Sequence, residues 1–105
     1  MAGMSGWFYL LIGGVLEIVW AISAKARPWW TLYISIGAGA GSLSCLYAAL
    51  ETMPIGTAYA VWTGIGAAGS ALVGIWLFGE STSPLRLGSL ALVTVGLIGI
   101  GLSSR

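Results

Sequence analysis

The 105-residue chain contains no histidine, and reading along it finds no aspartate, asparagine or glutamine. Those four residue types supply most of the groups that move protons, ligate metals or cover a soluble surface, so their absence sets aside ordinary acid–base and metal-dependent catalysis. Charge is scarce too. Only 7% of the side chains are charged, where a soluble domain carries roughly 25%. Four basic and three acidic residues leave a net charge of +1, which excludes the basic patch that a phosphate backbone requires, and with it nucleic acid as a partner. Cys45 is the single cysteine, so no intrachain disulfide can form and a metal cage lacks ligands. No catalytic residue, metal or cofactor is expected.

What the chain does have is apolar length, with 58% hydrophobic residues and 17 glycines. Polar breaks at Lys25-Ala26-Arg27-Pro28, Glu51-Thr52-Met53-Pro54 and Gly79 to Arg86 separate four apolar runs, at about 5–24, 30–50, 55–78 and 85–103. Each run approaches the ~20 helical residues that cross a ~30 Å hydrocarbon layer. Each break holds charge and a proline suited to starting a helix. The apolar stretches are unbroken rather than alternating, which argues against a β-barrel. They continue to the C-terminus, unlike a signal peptide ahead of a polar mature chain. The expected fold is an all-α integral membrane protein, a single domain over 1–105 with four transmembrane helices, antiparallel between neighbours because the loops are short.

Lys25, Arg27 and Arg86 fall in the first and third loops and Arg105 at the C-terminus. The positive-inside rule leans toward both termini outside, by too narrow a margin to fix one topology. Glycine and serine mark two seams for close helix approach. In the fourth run Ser89, Gly96, Gly99 and Ser103 recur around Leu92. In the third, Gly66, Gly69 and Ser70 continue the face of Tyr59 and Trp62. Either seam can serve packing within one subunit or between subunits. Four helices enclose little volume, which favours oligomerisation. Residues 64–69 match a dinucleotide-binding glycine pattern, but that motif works after a strand, at the start of a helix, and here it lies inside an apolar span.

Glu51 and Glu80 fall in loops, where a solvated charge needs no special role. Glu17 lies about 18 Å of helix from one end of its run and about 10 Å from the other. An ionised side chain at that depth costs a few kcal/mol on insertion scales, and binding a proton removes much of that cost. Helical spacing puts Gly13 and Gly14 one turn before Glu17 and Trp20 one turn after it. Tyr59, Trp62 and Thr63 form a second aromatic face, and Ser42 lies on a small-residue stripe with Ser35, Ala38, Cys45 and Ala49. Trp7, Trp29, Trp30 and Trp76 suit interfacial anchoring; Trp20 and Trp62 are too deep for it. A carboxylate beside aromatic rings in a dry site suits a small organic cation, because cation–π attraction grows on desolvation. A proton and a cation would compete for the one carboxylate, which couples their movements in opposite directions.

The residues Gly14-Val15-Leu16-Glu17-Ile18-Val19-Trp20, the string Pro54 to Gly66 (PIGTAYAVWTGIG) and Gly79-Glu80-Ser81 resemble the small multidrug resistance transporters over essentially the whole chain. Trp20, three residues after the acid, is similar to the guanidinium-exporter branch. The resemblance implies an antiparallel homodimer in a bacterial inner membrane, its subunits inserted in opposite orientations, with pairing to a sister subunit as the alternative. It further implies that Glu17 is the proton and substrate carboxylate, that Trp20 and Ser42 hold it by hydrogen bonds, that Tyr59 changes partner during alternating access, that Trp62 lines the site, and that Gly13 is the small residue one turn before the acid. Guanidinium fits such a site: it is planar, offers paired N–H donors to a carboxylate and stacks on rings. Two stretches depart from the pattern. Gly101 stands where many guanidinium exporters carry Lys, and Ala26-Arg27-Pro28-Trp29-Trp30 replaces the usual first loop. Export of quaternary ammonium or aromatic cations is therefore the rival expectation, and a non-transporting subunit of a paired membrane complex is the rival from another class.

Overall fold

The computed structural model describes residues 5–26 and 29–103. Arg27, Pro28 and Arg105, named above for charge and loop shape, lie outside the described residues. Four helices account for nearly all the rest: α1 (Gly6–Lys25), α2 (Thr31–Ala49), α3 (Ile55–Phe78) and α4 (Pro84–Ser103). Every boundary falls within one residue of the apolar runs, and no strand occurs among the described residues. All four helices are long and apolar enough to cross a membrane. The chain is an all-α, multi-pass membrane protein.

Helix ends follow from local chemistry. Ser5 caps α1, its Oγ accepting the Phe8 N–H at 3.3 Å. Ser83 does the same for α4, accepting the Arg86 N–H at 3.2 Å, with Pro84 at the first helical position where its missing N–H is harmless. Pro54, in extended backbone, opens α3. Gly79 closes it in the left-handed region at φ 63°, and the Glu80 N–H then returns to the Gly74 carbonyl at 3.2 Å. A residue with a Cβ would be strained at that turn.

Helix α1 is the centre of the subunit. It packs against α2 on one side and α3 on the other, and its glycines permit the approach. A Cβ at Gly13 would lie 3.0 Å from the Cys45 Cβ, and one at Gly14 would lie 2.5 Å from the Ile65 side chain. The α3 seam answers in kind: Gly66 faces Glu17 and Gly69 faces Ile18. Of the two uses open to that seam, packing within the subunit is the one observed. Ser35, Ala38, Ser42 and Ala49 are buried along one face of α2 with Cys45 half-buried among them, the stripe expected from their spacing, and the buried Thr31 extends it.

Helix α4 behaves differently. It lies along α3, with Leu97 seated over Gly64, yet none of its residues is buried. Gly96 and Gly99 have open space where a Cβ would stand, and Ser89, Leu92 and Ser103 are exposed beside them. This seam is unused within the subunit. The whole subunit measures 39 × 35 × 17 Å. Its short dimension is about half of either of the others, so one copy is a slab.

Candidate functional site around Glu17

Glu17 is the twelfth of the 20 residues of α1, placed mid-helix and half-buried between α2 and α3. Its Oε1 accepts two hydrogen bonds, from the Trp20 indole Nε1 at 2.7 Å and the Ser42 hydroxyl at 3.1 Å. Trp20 reaches it because residues three apart share a helix face. Ser42 reaches it across the α1–α2 contact that Gly13 keeps close. Donors aimed at a carboxylate fix its orientation.

The bonds continue outward. Ser42, fully buried, also lies 2.7 Å from the Gly13 carbonyl and accepts the Trp62 indole N–H at 2.8 Å. On the other side Ser35 donates to the Trp20 carbonyl at 2.7 Å. Three helices are thereby tied to one carboxylate: Trp20 and Gly13 from α1, Ser42 from α2 and Trp62 from α3. Tyr59 stands at the rim. Its ring meets that of Trp62 at 5.7 Å between centroids and 48°, it is 54% exposed, and it makes no hydrogen bond to Glu17. Five of the six residues singled out in the sequence thus form one connected cluster, and the sixth joins it through Trp62.

Three contributors were not legible as site residues. Gly66 lies against the acid, where a Cβ would meet the Glu17 Cβ at 2.9 Å and Oε2 at 3.6 Å. It sits four residues after Trp62, so the helical face carried its signal, but the sequence marked it only as a packing residue. Ser35 lies seven residues before Ser42, and its role in fixing the Trp20 backbone depends on a cross-helix contact. The Gly13 carbonyl, unlike its missing side chain, is invisible to any reading of side-chain types.

Oε2 takes no hydrogen bond among the described residues, leaving one carboxylate oxygen open beside aromatic rings. Trp20, 38% exposed, presents part of its ring outward. This surface can hold a proton or a small cation, but a single subunit gives it only one wall. A cleft of about 360 Å³ lies elsewhere, walled by Ile18, Ile22, Trp30, Ile34 and Val73. Among the described residues no three His, Cys, Asp or Glu side chains gather to hold a metal.

Comparison with known proteins finds relatives along nearly the whole chain. The family model described as Small Multidrug Resistance protein matches residues 5–93. A guanidinium exporter of Citrobacter freundii is 52% identical over 103 residues, covering 94% of this chain and 98% of its own. A guanidinium exporter of Salmonella typhimurium shows the same identity and coverage. One of Escherichia coli (strain K12) is 47% identical over 103 residues with the same coverage of both chains.

Proposed function

The chain belongs to the small multidrug resistance family, and from that membership we propose that it exports guanidinium or small guanidino compounds from a bacterial cell in exchange for protons, with Glu17 carrying either cargo. It is a transporter in the inner membrane and not an enzyme. The single observation that carries the mechanism is the state of the Glu17 carboxylate: Oε1 is held by Trp20 and Ser42 at 2.7 and 3.1 Å while Oε2 is open.

Exchange follows from having one carboxylate for two cations. A proton on Glu17 cancels the charge that attracts guanidinium, and bound guanidinium removes the site that would take a proton. The two therefore travel in opposite directions if the protein opens to one side at a time. The Trp20 and Trp62 rings add cation–π attraction in a site away from water. Tyr59 changes partner between the two openings in this reading, which its exposure at the rim and its hydroxyl, unbonded among the described residues, support.

A second copy completes the chamber. The 17 Å thickness of the subunit and the idle α4 seam support an antiparallel homodimer in which each subunit contributes a Glu17 to a shared site. Between cargoes, the 52% identity to guanidinium exporters and the hydrogen-bonded fixing of Oε1 favour a fork-shaped N–H donor over quaternary ammonium ions. Proteoliposomes with an imposed proton gradient test the proposal. Guanidinium uptake is expected in the parent protein and lost in Glu17→Gln; uptake that survives the substitution refutes the mechanism. Transport of tetramethylammonium without transport of guanidinium refutes the substrate.

A further inference from the structure

Ser42 makes three polar contacts with a single proton. Its Oγ lies 2.7 Å from the Gly13 carbonyl oxygen and 3.1 Å from Glu17 Oε1, while Trp62 Nε1 donates to it at 2.8 Å. A hydroxyl has one O–H and two lone pairs. With the indole N–H on a lone pair, the Ser42 proton has two acceptors in reach and serves one at a time. Glu17 Oε1 is limited in the same way. It has two acceptor positions, and the Trp20 N–H fills one at 2.7 Å. The Ser42 O–H decides whether the other is free.

Building on the proposed export of guanidinium, we infer that Ser42 is a switching positioning residue: its proton rests on Glu17 while no fork-shaped donor is bound, and turns to the Gly13 carbonyl when a cation with paired N–H groups arrives. Turning leaves one free acceptor position on Oε1 beside the open Oε2, which is what two parallel N–H donors need. The motion is a rotation about one C–O bond. It displaces no heavy atom, which matters because Ser42 is fully buried in a closely packed contact where a larger shift would clash.

Neither position of the proton leaves a buried donor unmet. A carbonyl has two lone pairs, so Gly13 can accept the Ser42 proton while still closing its own helical turn. When the Ser42 O–H turns away from Oε1, its oxygen stays where it is, and a substrate N–H bonds Oε1 from the open side next to Oε2. A quaternary ammonium ion brings no N–H, and for it the Ser42 proton has no reason to leave Glu17. The cluster therefore distinguishes the number of N–H donors on a cation without moving a helix.

The Gly13 carbonyl can be read directly. Gly13–Gly14 is the only glycine–glycine step in the sequence, so protein grown on glycine labelled with ¹³C at the carbonyl and ¹⁵N at the amide has one peptide bond joining two labelled glycines, and a carbon–nitrogen correlation spectrum selects the Gly13 carbonyl. At a pH where ligand-free Glu17 is ionised, guanidinium is expected to move this resonance downfield, as hydrogen-bond acceptance deshields a carbonyl carbon. Tetramethylammonium is expected to leave it in place, and Ser42→Ala to abolish the guanidinium effect. A resonance unmoved by bound guanidinium, moved alike by both cations, or still moved in Ser42→Ala overturns the inference; if Ser42→Ala does not fold, the comparison of two cations on the parent protein decides. Tryptophan fluorescence on the same samples reports binding separately, so absence of guanidinium binding counts against the proposed function, whereas binding with a silent carbonyl counts against the switch alone.

Discussion

Gly66→Ala adds one methyl group at the point where α3 meets the acid, and its consequences can be worked from distances. The new Cβ would lie 2.9 Å from the Glu17 Cβ and 3.4 Å from its Cγ, short of the ~3.5–4.0 Å at which two carbons rest. Something must give. If α3 moves away, overpacking costs about 1–3 kcal/mol, offset in part by the better helix propensity of alanine, about 0.5–1 kcal/mol. If Glu17 turns instead, its Oε1 leaves the Trp20 and Ser42 donors at 2.7 and 3.1 Å. A hydrogen bond to a charged group contributes about 1.5–3 kcal/mol, so losing one weakens guanidinium binding about 10- to 100-fold. The Glu17 Cβ is fixed to the α1 backbone and no rotation of the side chain moves it, so separation of α3 from α1 is expected to dominate, drawing Trp62 away from Ser42 as it does so. The thermal midpoint in detergent should therefore fall, and guanidinium binding measured by tryptophan fluorescence should weaken with it. Parent-like affinity and transport in Gly66→Ala would falsify the assignment of Gly66 as the seat of the carboxylate.

The α4 seam and the loop carboxylate give two further predictions. Gly96→Leu fills space that is open in the single subunit, so the subunit fold should survive while cross-linking in membranes shows loss of the dimer and transport falls with it; an intact dimer refutes this face as the pairing surface. Glu80 pairs with Arg86 at 2.6 Å, with their side chains 41% and 33% exposed, and such a pair contributes at most about 1 kcal/mol. Glu80→Gln should therefore lower the thermal midpoint slightly and leave proton-coupled transport in liposomes intact, and loss of coupling would show that Glu17 is not the sole coupling acid.

Much of this protein is legible without coordinates because lipid imposes simple rules. A chain in a bilayer must satisfy its backbone within each segment, so apolar runs near 20 residues can only be helices or barrel strands, and unbroken runs leave helices. Polar breaks with Pro28, Pro54 and Pro84 then set the boundaries, and the three acids sort themselves by depth. Glu17 is conspicuous because an ionisable side chain there is costly enough to need a reason. Trp20 follows from it by helical spacing alone.

Contacts between helices are another matter. Spacing placed the Ser42 stripe on one face of α2 but not which α1 atom it would meet, and it gave the two glycine seams equal standing. Tertiary structure separated them, turning Gly66 and Gly69 inward onto α1 and leaving Gly96 and Gly99 outward. It also directed Trp62 to Ser42 rather than to Glu17 itself, and set Tyr59 at the rim. The physical reason is range. Helical period and membrane depth are local properties of a sequence, fixed by backbone geometry and solvent, whereas a hydrogen bond between α1 and α2 depends on how closely two backbones approach and at what rotation, which the packing of every side chain between them decides together.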